Sequence, residues 1–150
     1  MIGAADGGHL EMVKWLHDNH NNHADSVEDA MIYAVSMGHF EVVMWLHEKR
    51  PENYSALVMN FAAQFGELET VKWLHDARAN QTCEGCTTDA MNWAAANKHL
   101  EVVKWLHYNR TEGCTEEAMD SAAMKGHLDV VKWLHHNRTE GCTKRRYESY

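Results

Sequence analysis

The sequence predicts an all-α solenoid of about five stacked helix-turn-helix repeats, and three observations predict it. The first is repetition: HLEMVKWLH (9–17), HFEVVMWLH (39–47), ELETVKWLH (67–75), HLEVVKWLH (99–107) and HLDVVKWLH (127–135) are near-copies of one string. Their tryptophans, at 15, 45, 73, 105 and 133, are separated by 30, 28, 32 and 28 residues. A fixed period of this size marks units that bury apolar surface by stacking on their neighbours. The second observation is helical periodicity inside each unit. The third is punctuation, with a hydroxyl before one helix of each pair and, in most units, a glycine between the two.

The unit from Thr87 to Asn109 shows the pattern. At 100° per residue, Leu100, Val102, Val103, Leu106 and His107 share one arc while Glu101, Lys104 and Tyr108 share the other, which predicts an amphipathic outer helix with Trp105 at the edge of its apolar face. Upstream, Ala90, Met91, Ala94 and Ala95 share an arc of an inner helix whose core face is mostly methyl-sized. Small residues let helices approach closely. Ser55, Thr87 and Thr115 stand where a hydroxyl caps free N–H groups of the inner helix, and Asp89, Glu116 and Glu117 follow where a helix N-terminus favours negative charge. Gly8, Gly38, Gly66 and Gly126 sit between paired helices, where a left-handed residue ends the first of them. The 87–109 unit has Asn97-Lys98 there, and Asn97 is expected to take the left-handed conformation.

The units run approximately 1–23, 24–53, 54–81, 82–113 and 114–143, one domain followed by a basic and polar tail at 144–150. The longer steps are insertions between repeats, HNNHADS (20–26) and ARANQTCEGCT (77–87), and the single proline, Pro51, follows an outer helix. Met1 occupies the place of Met31, Met59, Met91 and Met119, so the chain is read as opening inside an inner helix. Neither end carries a dedicated polar cap, which points to a monomer or to part of a longer array.

The 45% hydrophobic content suffices for a continuous core. A formal net charge of −8 argues against nucleic acid as a partner, since that affinity rests on Lys and Arg displacing counterions. Lys144-Arg145-Arg146 is the only basic cluster and reads as a solvated terminus. No apolar run approaches the roughly 18 residues that cross a bilayer, so no membrane association is expected. The cysteine pattern and the absence of an opening signal segment suggest a cytoplasmic protein. Sequons at Asn53, Asn80, Asn109 and Asn137 would accept glycans only in a secreted one.

The segment AMNWAAANKHLEVVKWL (90–106) is similar to the ankyrin-repeat pattern P-L-H-x-A-A-x-x-G-H-L-E-V-V-K-L-L. MIYAVSMGHFEVVMWL, MNFAAQFGELETVKWL and MDSAAMKGHLDVVKWL repeat the likeness over nearly the whole chain. Ankyrin units typically run to about 33 residues, whereas the compact units here have 28. The chain thus resembles the divergent short-loop type found in long arrays in oomycetes, amoebae and giant viruses, with its β-hairpin fingers largely absent. The resemblance implies a stack of helix pairs whose concave inner-helix surface binds other proteins without enzymatic activity.

Nine of the twelve histidines form two ladders rather than a ligand set: His9, His39, His99 and His127 open the outer helices, and His17, His47, His75, His107 and His135 follow Trp-Leu. Equivalent residues lie a repeat apart, about 8–10 Å, too far to share a metal bound at about 2 Å. Cys86, Cys114 and Cys142 recur in GCT at the same spacing, which exceeds the reach of a disulfide. Cys83 adds a lone C-x-x-C with Cys86, half a zinc site without a second pair, and neither a metal nor a cofactor is expected. No phosphate loop, nucleophile motif or isolated carboxylate pair points to catalysis. Variation concentrates on the inner helices outside the small-residue arc. Tyr33, Ser36 and Met37 in one unit match Phe61, Gln64 and Phe65 in the next, Asn92, Trp93, Ala96 and Asn97 in the fourth, and Ser121, Met124 and Lys125 in the fifth.

Tyr33, Phe61 and Trp93 are expected to form a row, either as interface anchors or as packing between inner helices. The partner-binding set is Tyr33, Met37, Phe61, Gln64, Phe65, Trp93, Asn97, Met124 and Lys125. The five recurrent tryptophans are assigned to the seam between repeats. Beside a protein-binding platform stands the alternative of a structural spacer in a longer array, with no site of its own.

Overall fold

A computed structural model describes residues 1–19, 24–49, 55–78 and 86–142. Among them are ten α-helices and no strand: α1 (Ile2–Asp6), α2 (Leu10–Asn19), α3 (Ala24–Ser36), α4 (Phe40–Lys49), α5 (Ala56–Phe65), α6 (Leu68–Arg78), α7 (Thr88–Ala96), α8 (Leu100–Asn109), α9 (Glu116–Met124) and α10 (Leu128–Asn137). The odd-numbered helices are the inner ones and pack on one another in order from α1 to α9, each also packing on its own outer helix. Outer helices touch each other far less. The difference follows from side-chain size. Inner helices meet through Ala30, Ala34, Ala62, Ala63, Ala90, Ala94, Ala95, Ala118 and Ala122, all buried, so their axes come close.

Local signals behave as the sequence suggests in most places. Ser55, Thr87 and Thr115 cap α5, α7 and α9, their hydroxyls accepting from the N–H groups of Leu57, Asp89 and Glu117 at 3.1, 3.2 and 3.3 Å. On α8, Val102, Val103 and Leu106 are buried as the arc requires, and full burial of such a side chain contributes about 1.5–3 kcal/mol. Asn109 Nδ2 donates to the Trp105 carbonyl at 2.8 Å, closing the last turn, and Asn19 and Asn137 do the same for Trp15 and Trp133.

The turn between α7 and α8 departs from expectation. Asn97 has φ −109, and the left-handed residue is Lys98, at φ 67. Register decides this: the left-handed residue immediately precedes the outer helix's first-ladder position, as Gly66 (φ 78) precedes Glu67 and Gly126 (φ 77) precedes His127. Lys98 stands in that slot and Asn97 does not. Asn97 instead bonds the Trp93 carbonyl through Nδ2 at 2.9 Å.

Both histidine ladders tie repeats together. His39 Nε2 donates to the Asp6 carbonyl of the preceding unit at 2.8 Å, and His127 Nε2 to the Ala96 carbonyl at 3.2 Å. A Cβ at Gly66 would lie 2.4 Å from His99 Nδ1, so that glycine is needed both for its backbone and for the ring packed over it. In the second ladder four of the five imidazoles stand edge-on to the tryptophan of the following unit. The pairs His17–Trp45, His47–Trp73, His75–Trp105 and His107–Trp133 have centroids 5.1–5.2 Å apart. Trp45, Trp73, Trp105 and Trp133 therefore fill the seam between repeats, packed against the core, whereas Trp15, also assigned to the seam, is 56% exposed because none of the histidines before it in the sequence belongs to the second ladder.

The 110–115 loop completes this seam. Arg110 Nη1 donates to His75 Nδ1 at 3.2 Å while Nε holds Glu112, and Arg138 repeats the arrangement with His107 and Glu140. Burial alone would raise the Glu112 carboxyl, but hydrogen bonds from Arg110 and from backbone N–H groups outweigh it and hold it below the usual range. Cys86 and Cys114 lie buried, interacting with Arg110 and Arg138 respectively. Cys83 lies outside the described residues.

Candidate functional site

Two inner-helix asparagines are absent from the open surface. Asn92, expected beside Trp93 on the exposed face, is 2% exposed. Its Nδ2 donates to Thr115 Oγ1 at 2.9 Å and its Oδ1 accepts from Thr115 N at 3.0 Å. Asn60 makes the same two-point clasp on Thr87, at 2.9 and 3.2 Å. The cap of one inner helix is thus held by the helix before it, and a buried amide demands such partners. Ile32 occupies the equivalent position on α3, and there Glu28 reaches the Ser55 hydroxyl instead.

What remains exposed on the inner helices includes several large apolar side chains. Tyr33 is 48% exposed, Met37 57%, Leu57 45%, Phe65 40% and Met124 77%. Phe61 is partly buried against the core and joins two rings: it stacks on Phe65 at 6.4 Å and meets Trp93 at 5.5 Å. The expected row is therefore continuous from Phe61 to Trp93, while among the described residues the Tyr33 ring meets no other ring. Gln64 and Asn97 are half-buried, and Lys125, exposed, reaches Asn97 Oδ1 at 3.4 Å. Leu57 escaped the sequence reading because it lies in the first turn of α5, away from the variable positions near the helix end.

Charge is segregated as well. The five inner helices contain eight acidic residues (Asp6, Asp25, Glu28, Asp29, Asp89, Glu116, Glu117 and Asp120) and no Lys, Arg or His. The whole chain has 22 acidic and 14 basic residues. The remainder therefore holds fourteen of each, and the net −8 resides on the inner helices alone. On the outer helices, by contrast, Glu11–Lys14, Glu69–Lys72 and Glu101–Lys104 pair at 2.6–2.8 Å. This distribution was countable once inner and outer helices had been distinguished.

Among the described residues no helix is long and apolar enough to cross a membrane, and no group of three or more His, Cys, Asp or Glu side chains could hold a metal ion. The fold and its exposed inner face define a helical-repeat solenoid. The family model for ankyrin repeats in three copies matches residues 1–81 and again 59–145, and the chain belongs to the ankyrin-repeat family. Ankyrin repeats are generally protein–protein interaction modules, and the family is typically non-enzymatic. A search of curated proteins found no match to the chain.

Proposed function

We propose that the chain is a non-enzymatic platform, acting as one solenoid over residues 1–143, that holds a partner protein on the exposed face of its inner helices. The joined rings of Phe65, Phe61 and Trp93, with Tyr33 and Met37 exposed on the preceding inner helix and Met124 on the following one, carry this reading. Apolar side chains scattered singly on a surface are ordinary, whereas a joined patch of aromatic and Met side chains marks an interface. Gln64, Asn97 and Lys125 supply its polar edge.

The test is affinity capture from the source lysate with wild type and with a Tyr33→Ala, Phe65→Ala variant whose helicity is checked by circular dichroism. These rings are exposed, so the variant is expected to fold and to lose a partner that wild type retains. A folded variant that captures the same proteins would favour the spacer reading.

A further inference from the structure

We propose that the segment received on this face is cationic and apolar together: a stretch of a partner protein whose Lys or Arg side chains alternate with aromatic or aliphatic ones. The proposal rests on the inner-helix face being the binding face and names what it selects. Asp29, Asp89 and Glu117 occupy one register on α3, α7 and α9, each one turn before Tyr33, Trp93 and Ser121. Residues four apart share a helix face with Cβ atoms about 5–6 Å apart. A partner's basic side chain can therefore lay its stem or guanidinium on a ring and its charge against a carboxylate.

Among the described residues none of these three carboxylates forms an ion pair, in contrast to those paired on α2, α6 and α8. Helix dipoles favour Asp89 and Glu117, which lie in the first turns of α7 and α9. They do not account for Asp29, the sixth residue of α3. Lys98 and Lys125 lie at the other end of the inner helices, which gives the face a direction: basic side chains of the segment turn toward the helix N-termini and away from the two lysines. Four inner-helix axes at about 8–10 Å spacing span roughly 24–30 Å. About eight or nine extended residues cross that distance.

The experiment pans a library of displayed random peptides, long enough to cross four helices, on three proteins. These are wild type, Tyr33→Ala with Phe65→Ala, and Asp29→Asn with Asp89→Asn and Glu117→Gln, each first shown to keep the wild-type melting temperature. Peptides enriched on wild type are expected to combine Lys or Arg with apolar residues and to be lost on the ring variant. They should bind the neutralised variant about two- to five-fold more weakly per carboxylate removed, with a shallower dependence on salt. Enriched peptides without excess basic residues, still lost on the ring variant, would overturn the inference and leave the binding face standing. Peptides indifferent to the ring variant, or no enrichment over a blank surface, would overturn both.

Discussion

Three of the outer helices pair a surface carboxylate with a lysine one turn along, as at Glu69 and Lys72, and Trp45, Trp73, Trp105 and Trp133 pack into the seam. The inner helices do the reverse. They have no basic residue, leave Asp29 and Glu117 exposed, and hold Tyr33, Phe65 and Met124 out toward solvent. Both layers are amphipathic and both repeat, yet one surface is neutralised and the other is left apolar and acidic. Exposed apolar residues also occur on outer helices, Met12, Trp15, Tyr108 and Leu128 among them, and there Tyr108 meets the His107 ring edge-on at 4.9 Å, whereas the inner face brings Phe61, Phe65 and Trp93 into contact. Repetition alone does not require that asymmetry. On the proposed reading it separates what the stack needs to stand from what it would offer to a partner.

The largest effect is expected in the seam. Trp105→Ala removes the ring that meets His75 and opens space between two repeats, and should lower unfolding stability by about 3 kcal/mol in urea denaturation. A loss below about 1 kcal/mol would show that the outer layer contributes little. Next comes the buried clasp: Asn92→Ala strands the Thr115 N–H and should cost about 1–3 kcal/mol, visible as a drop in the urea midpoint.

The turn joining the two layers offers a change of opposite sign. Lys98 holds a left-handed backbone (φ 67) where equivalent turns use glycine. Lys98→Gly should therefore raise the melting temperature, by an amount equivalent to about 0.5–1 kcal/mol once the greater freedom of unfolded glycine is offset. An unchanged or lower value would contradict the assignment of strain to that residue.

Acid should also act on the seam and the turns rather than on the contacts between inner helices, which contain no histidine. Burial pushes the His47 imidazole below its ordinary value of 6.5. It does the same for His99, against the opposing pull of the Gln64 carbonyl and Glu67. Because the folded-state values are depressed, the stability these neutral rings supply is complete above about pH 6.5. It is lost as pH falls from there through each folded value. Melting temperature should thus decline between about pH 7 and pH 5, and His47→Gln should flatten that decline. An equal slope in the variant would remove His47 from the account. The smallest effect on stability belongs to the open face: Tyr33→Ala, which removes a half-exposed ring that meets no other described ring, should change unfolding free energy by roughly 0.5 kcal/mol or less, while a partner loses about 2 kcal/mol or more of affinity.

Much of the fold was legible because the repeats encode it with local chemistry. Ser55, Thr87 and Thr115 cap where hydroxyls were read as caps, and Val102, Val103 and Leu106 are buried where the helical arc placed them. Legibility ended where one unit acts on the next. Asn92 reads as a surface residue on its own helix, and only a threonine 23 residues away makes it a buried clasp. The pairing of His75 with Trp105 and Arg110 is likewise invisible within a single unit, although the constancy of both ladders was its trace. Phe61 could not be assigned from sequence to core or surface because it serves both, lying against the core with one neighbour stacked on it and another tilted toward it. The acidic bias was present in the composition but diluted by the rest of the chain, in which fourteen acidic and fourteen basic residues cancel.

The central contrast can be tested by placing a photo-crosslinking amino acid at Phe65 on the inner face in one protein and at Tyr108 on the outer face in another, then irradiating each in source lysate. Adducts formed from position 65 and absent from position 108 are the predicted result. Adducts from 108 alone, or the same adducts from both positions, would contradict the division of the molecule into a supporting layer and a binding layer.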